Sequence, residues 1–303
     1  MTKILVVGSS GFIGQELTYK LYHAGYGVVG GINSQEMPSV PYKKVKIDIL
    51  SRKSVEDAVT FEEPNIIINL AAMSRIKECK EKPDLAYRLN VEGVEFLVDT
   101  AEKLEKKPLF VQFSTDHIFN GIDRKNGNYK ENDKTIPSNY YGETKLDSEG
   151  VVKDSSLEYL IVRTSLNFGW YRYSNRQMDR LHFIVMKKLK ERENYTVNPN
   201  TIISPTYLEY LCEGVLFLLE KNIRNETVHI AGKDALSKFE FATRIAKLFG
   251  GKSCEKRVMT LTNILNIKNT SLNTEKMLGL GYPQICIEES LKRFKKERSP
   301  MLN

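Results

Sequence analysis

The chain opens with an apolar run, Lys3-Ile4-Leu5-Val6-Val7, that passes directly into Gly8-Ser9-Ser10-Gly11-Phe12-Ile13-Gly14 and then into a stretch with helical spacing of apolar residues. Strand, glycine turn and helix in that order leave few folds open. Side chains at the three glycine positions would obstruct, in turn, the tight bend, the approach of a pyrophosphate and the packing of helix on strand. The first N–H groups of the helix have no intrahelical acceptor and present a partial positive charge to an anion placed before them. Three glycines at this spacing mean little by themselves in a chain with 19. Set between the first strand and the first helix, they predict a dinucleotide site made by Gly8, Ser10, Gly11, Phe12, Ile13 and Gly14.

Such a turn belongs at the carboxyl edge of a parallel sheet, and the first half of the chain alternates strand and helix patterns accordingly. Strands are expected at 4–7, 28–32, 45–48, 65–70, 109–114 and 159–163. Helices are expected at 12–24, ended by Gly25, at 85–101 and at 139–153. After about residue 168 the alternation lapses into Trp170-Tyr171-Arg172-Tyr173-Ser174-Asn175-Arg176. The remainder has helical patterns near 177–193, 207–221 and 238–249. With 303 residues, about twice a ~150-residue domain, the fold class read here is α/β. It comprises a Rossmann-type doubly wound parallel sheet over 1–168 and a smaller α+β substrate domain over 169–303, with a segment near 203–222 returning to the first.

Composition narrows the function classes. Hydrophobic residues make up 41% and charged residues 27%, as in an ordinary globular protein. The net charge of +7 is thin, and much of it sits in one cluster from Lys292 to Arg298. That cluster reads as a solvated helix end offsetting the helix dipole, with no aromatic interleaving to suggest nucleic acid. Cys79, Cys212, Cys254 and Cys286 are far apart and in no metal-binding spacing. The apolar stretches at 66–73 and 215–219 fall short of the ~18 residues of a membrane span. A cytoplasmic chain without membrane or nucleic-acid partners is expected, and the sequence is compatible with a homodimer.

Which dinucleotide is bound turns on the end of the second strand, where a carboxylate would hold a ribose 2′-hydroxyl and repel a 2′-phosphate. The residues there are Gly30, Gly31, Ile32, Asn33 and Ser34, with no acid before Glu36. Asn33 and Ser34 can hydrogen-bond a 2′-phosphate, so NADP is favoured and NAD stays open. Asp48, after the third strand, reads equally well as an adenine ligand or as a turn carboxylate.

Two Tyr-x-x-x-Lys pairs occur, about as many as chance supplies in a chain with 15 tyrosines. Tyr42 and Lys46 fall on a strand, where four residues span roughly 13 Å. Tyr141 and Lys145 fall on a helix, where positions i and i+4 share a face. A strand ending in Phe113-Ser114-Thr115-Asp116 precedes them. A lysine ammonium beside a tyrosine lowers the phenol's pKa towards neutrality and can hold a nicotinamide ribose. Ser114 or Thr115 can bond a substrate oxygen, so the set suits hydride transfer coupled to protonation of an alkoxide.

At these residues the chain resembles the extended short-chain dehydrogenase/reductases and, within them, the dTDP-4-dehydrorhamnose reductase group. The resemblance runs through Asn69-Leu70-Ala71-Ala72, Asn90, Ser114 to Gly121, Tyr141 to Leu146, Arg163-Thr164-Ser165, Ser204-Pro205-Thr206 and Ser271 to Lys276. It implies reduction of the C4 keto group of a nucleotide-linked 6-deoxy sugar by NADPH or NADH. Tyr141 would be the proton donor, Thr115 would polarise the ketone and Lys145 would complete the catalytic set. It also implies cofactor contacts from Ile49, Leu70, Ala71, Ala72, Asn90 and Ser114, and substrate contacts from Thr115, Asp116, His117 and Asn167. Two positions depart from the family. His117 replaces an aromatic residue, and Leu166-Asn167-Phe168 replaces Trp-Val-Tyr, which leaves the particular sugar open. Related 4,6-dehydratases would need a Glu at His117. A sugar-nucleotide epimerase fits the same motifs, as does a non-enzymatic module like the regulatory subunit of methionine adenosyltransferase, although that subunit departs at the Thr-Asp kept here.

Overall fold

Parallel strands joined by helices are buried on both faces, so successive residues of each strand divide between two cores. The computed structural model, which describes residues 1–34, 37–124, 126–173, 180–260 and 267–297, shows this division in β1 (Lys3–Val7). Ile4 and Val6 join one core; Leu5 and Val7 join the other.

The main sheet continues with β2 (Gly27–Ile32), β3 (Lys43–Lys46), β4 (Ile66–Asn69), β5 (Leu109–Thr115) and β6 (Tyr159–Thr164). Four short strands follow: β7 (Asn167–Phe168), β8 (Tyr195–Val197), β9 (Thr201–Ile203) and β10 (Thr206–Tyr207). The chain then rejoins the main sheet as β11 (Glu226–His229). The order is β11-β6-β5-β4-β1-β2-β3, with every pairing parallel. Chain direction across the sheet reverses between β1 and β4, which opens a crevice at their carboxyl ends.

One face is covered by α1 (Phe12–His23). The opposite face carries α2 (Arg52–Glu62), then, after α3 (Ile76–Glu81) and α4 (Pro83–Tyr87), α5 (Gly93–Glu102) and α6 (Tyr140–Lys153). After α7 (Leu181–Lys190), α8 (Leu208–Glu220) returns to pack on α1, tied to it by Lys20, which donates to Glu209 and Glu213. The remaining elements are α9 (Lys238–Gly250), α10 (Glu275–Gly279) and α11 (Ile287–Lys296), with β12 (Leu236–Ser237), β13 (Val258–Thr260) and β14 (Lys268–Asn269). β9 lies between β12 and β14, β8 pairs with β13 and β7 with β10.

Several elements differ from the sequence pattern, α2 among them, over a stretch for which no helix was expected. The third strand is Lys43–Lys46 rather than 45–48, because the paired stretch opposite Val29 to Ile32 is an exposed edge where lysines suffice. Ile47 and Ile49 are buried just beyond it. The helix expected over 85–101 is split by a π turn at Arg88–Glu92 between α4 and α5. The helix expected near 177 begins at Leu181, and 177–179 lie outside the described residues, as do Ser174 to Arg176 and Arg298. The sheet takes in a seventh strand, β11, past the 203–222 segment. At the end of α11, Lys292, Lys295 and Lys296 are exposed, Arg293 pairs with Glu289 and Glu213, and Phe294 enters the core. Among the described residues no helix is long and apolar enough to cross a membrane.

Candidate active site

The glycine turn is held by the neighbouring strand. The N–H groups of Gly8 and Ser9 both donate to Gly31 O, at 3.0 and 3.1 Å. Gly8 has φ +85°, and a Cβ there would lie 2.8 Å from Ala71 N. A Cβ on Gly14 would lie 2.2 Å from Gly8 O. Helix and turn therefore approach more closely than any other residue allows. At the start of α1, Gly11 provides no side-chain cap and the first turn has no acidic residue, so no side chain competes with an anion for these amides. The cradle fits a dinucleotide pyrophosphate.

From this turn a cleft of about 330 Å³ runs along the sheet's carboxyl edge, lined by Gly8, Gly11 to Gly14, Leu70, Ala72, Ser114, Thr115, Asp116, His117, Tyr141, Lys145 and Asn167. Thr115 ends β5, and its hydroxyl accepts the N–H of His117 and donates to Asp116 Oδ1, both at 3.2 Å. Asp116, 3% exposed, accepts further hydroxyls from Ser165 at 2.9 Å and Thr270 at 2.7 Å through Oδ2. Its carboxylate is thus committed to fixing the strand end. Tyr141 enters on α6, whose cap is Asn139; a Cβ on Gly142 would lie 2.1 Å from His117 O, so glycine lets the helix sit against this turn.

Burial pushes the Tyr141 phenol above the ordinary tyrosine range, opposed by the Thr115 hydroxyl. This reverses the expected lowering by Lys145: keeping a phenolate out of water costs more than its surroundings return. Lys145 is 3% exposed. Burial lowers its pKa to about 8, opposed by Glu149 one helical turn on.

Glu149 is fully buried and is clamped by Arg163 of β6, Nε to Oε1 at 2.9 Å and Nη2 to Oε2 at 2.7 Å. Arg163 also donates to Glu131 O at 2.9 Å. Removing one partner of such a buried pair strands the other charge. Arg163→Met is therefore expected to lose about 3–5 kcal/mol of unfolding free energy, read from chemical denaturation, well beyond the effect of Arg52→Met at an exposed pair.

The other residues named from the sequence fall into two groups. Asn33 and Ser34 are exposed at the end of β2, beyond the cleft lining, and Glu36 lies outside the described residues. Asp48 Oδ1 accepts the N–H of Leu50 at 3.0 Å, the turn role of its two readings. Ile49 points into the second core, against Gly93. Asn90, in the π turn, is wholly buried; its Oδ1 accepts Met73 N at 2.8 Å, and Nδ2 donates to Met73 O at 3.0 Å and Thr144 Oγ1 at 2.9 Å. It ties the loop after β4 to α6 and does not line the cleft. Ser10 is buried, its carbonyl taken by Gln15 Nε2, and Ala71 is half-buried beside Asn69. The cleft also contains Phe113, Thr164, Ser165 and Leu166, which lie within the quoted blocks without a role of their own, and Ser74 and Arg180, which lie in none. Glu149 was accessible to the helical-spacing argument, four residues after Lys145. Arg180 was not, because the helical pattern near 177–193 does not say that its first residues reach the cleft.

The family model described as the RmlD substrate binding domain matches residues 1–275. The dTDP-4-dehydrorhamnose reductase of Aggregatibacter actinomycetemcomitans is 30% identical over 250 residues, covering 81% of this chain and 78% of that protein. Methionine adenosyltransferase 2 subunit beta of Pongo abelii is 26% identical over 306 residues, covering 96% and 88%. The crystal structure of dTDP-4-dehydrorhamnose reductase from Bacillus anthracis, in complex with NADP, superposes with a TM-score of 0.82 at 26% identity, over 98% of this chain and 100% of that one. A match along nine-tenths of the sequence, on a fold whose glycine turn and Tyr-x-x-x-Lys helix meet at one cleft, places the chain in the dTDP-4-dehydrorhamnose reductase family of NAD(P)-dependent oxidoreductases.

Proposed function

We propose that the protein reduces the 4-keto group of a nucleotide-linked 6-deoxy sugar, with NADPH as the preferred cofactor. The observation that carries this reading is the convergence of Thr115, Tyr141 and Lys145 on the cleft that continues onto the Gly8–Gly14 turn. Bound NADPH would supply the hydride to the carbonyl carbon. Gly11 to Gly14 and the open end of α1 would hold its pyrophosphate, and a β2 end without a carboxylate among the described residues tolerates a 2′-phosphate. Thr115 orients the ketone oxygen. Tyr141, protonated across the neutral range, gives its proton to the alkoxide as it forms, and the Lys145 ammonium stabilises the phenolate left behind.

NADPH oxidation with dTDP-4-dehydrorhamnose and related 4-keto sugars tests the reading. The similarity to methionine adenosyltransferase 2 subunit beta supports a second one, a dinucleotide-binding regulatory module. Tight NADPH binding with no turnover of any sugar would favour that module.

The reductase reading also fixes a pH dependence. Lys145 is cationic below about 8 and neutral above, so kcat/KM for reduction falls as pH rises through that value. Stability moves the other way. The fold holds the neutral amine better than the ammonium, so between about 8 and the unperturbed 10.5 the unfolded chain binds more protons and Lys145's contribution to stability rises with pH. A pH–rate profile and thermal melts of wild type and Lys145→Met across the same range check both signs.

A further inference from the structure

We propose that His117 determines substrate specificity: held in one tautomer by Asn139, it points an Nε2–H donor at an oxygen substituent on the sugar carbon next to the reacting carbonyl. This rests on the reductase reading above and names a feature of the substrate that the reading leaves open.

The tautomer follows from Asn139. As the cap of α6, its Oδ1 accepts the N–H of Gly142 at 3.0 Å, so the amide nitrogen is the end that faces His117 Nδ1, at 3.4 Å. An amide nitrogen only donates, so Nδ1 accepts and the proton of a neutral imidazole lies on Nε2. Among the described residues, the groups that face the ring are Asp116 on its own turn, Lys238 at the start of α9, Lys268 of β14 and the Tyr141 phenol of α6. Burial, aided by the two lysines, outweighs Asp116 and keeps the imidazole neutral.

The position is as fixed as the tautomer. The His117 N–H is bonded to Thr115 Oγ1, and its carbonyl is packed against Gly142. The ring centroid lies 5.9 Å from that of Tyr141. His117 lines both the cleft and an adjoining cavity of about 620 Å³ that contains Asn167, Arg180 and Lys238. Its Nε2 has no hydrogen bond among the described residues and, unlike the sealed Nδ1 of His182 and Nε2 of His229, remains accessible. A donor with no partner among the described residues, one residue's width from the proton donor, is satisfied by a substrate oxygen. A substrate lacking that oxygen leaves the N–H unpaired, which is the stronger form of discrimination.

The test compares dTDP-4-dehydrorhamnose with its analogue lacking the hydroxyl next to the carbonyl. His117→Phe is expected to lower kcat/KM roughly 10- to 100-fold for the hydroxylated sugar and to change it less than about threefold for the analogue. His117→Gln, which keeps a donor, recovers part of the loss; equal losses on both sugars overturn the proposal. Asn139→Asp keeps the cap but replaces the amide donor with an acceptor. It should draw the proton to Nδ1, seen by nitrogen-15 NMR of the imidazole, and add an ionisation to the pH profile. A wild-type spectrum showing the Nδ1–H tautomer or imidazolium at neutral pH also overturns it. Calorimetric binding of both sugars to the NADP+-loaded protein gives the same comparison without turnover. An inert enzyme that still prefers the hydroxylated sugar through His117 would sink the reductase reading alone, whereas binding of neither sugar would sink this inference.

Discussion

Tyr141→Phe lowers turnover of a nucleotide-linked 4-keto sugar by about 10²–10⁴-fold, with NADPH affinity held within a few-fold. The substitution removes one hydroxyl from a residue that lines the cleft. The lost rate corresponds to about 3–5 kcal/mol of transition-state stabilisation. It should appear in kcat as well as kcat/KM, because proton donation is needed only as the alkoxide develops. Tyr140→Phe, one residue away and outside the cleft lining, is the control and should stay near wild type. NADPH binding by fluorescence and initial rates by absorbance separate the two effects. A Tyr141→Phe enzyme within tenfold of wild type would mean that the proton comes from elsewhere. Thr115→Val belongs in the same series: it should cost rate by misplacing the ketone, and it also disturbs the His117 turn, so its effect is broader.

The parts of this site legible in the sequence are those built from neighbours in the chain. β1, its glycine turn and α1 are one continuous segment, and the fit of Gly8, Gly11 and Gly14 depends on backbone that the same segment supplies. Tyr141 and Lys145 share a helix face by spacing alone. What escaped was assembled from distance. Asp116 is fixed by Ser165 and Thr270, residues 49 and 154 positions away, and Arg180 reaches the cleft from the start of α7, far along the chain from the glycine turn. The π turn left no trace in the apolar spacing, since the buried Val91 falls between Leu89 and Val94. Its consequence, an Asn90 amide that binds the loop after β4, requires the strand order to be known. The direction of the Tyr141 shift required burial, which spacing does not encode.

The same substitution at two glycines should have opposite signs. In α1, the Cβ of Gly14→Ala would fall 2.2 Å from Gly8 O and 2.7 Å from Ser9 Cα, both backbone atoms that no rotamer change can clear. Helix and turn must separate, at a cost of about 1–3 kcal/mol or more for overpacking, and the amides aimed at the pyrophosphate move with them. NADPH affinity should fall by about two orders of magnitude, the effect of losing more than one charge-assisted hydrogen bond. In α6, by contrast, a Cβ on Gly150 meets nothing within 4 Å. Gly150→Ala should raise stability by about 0.5–1 kcal/mol through helix propensity alone and leave NADPH binding unchanged. Denaturation curves and NADPH titrations of the two variants decide the matter. A Gly14→Ala protein that melts and binds like wild type would show that the turn relaxes freely, and the glycine spacing would then lose its force as the determinant of the dinucleotide site.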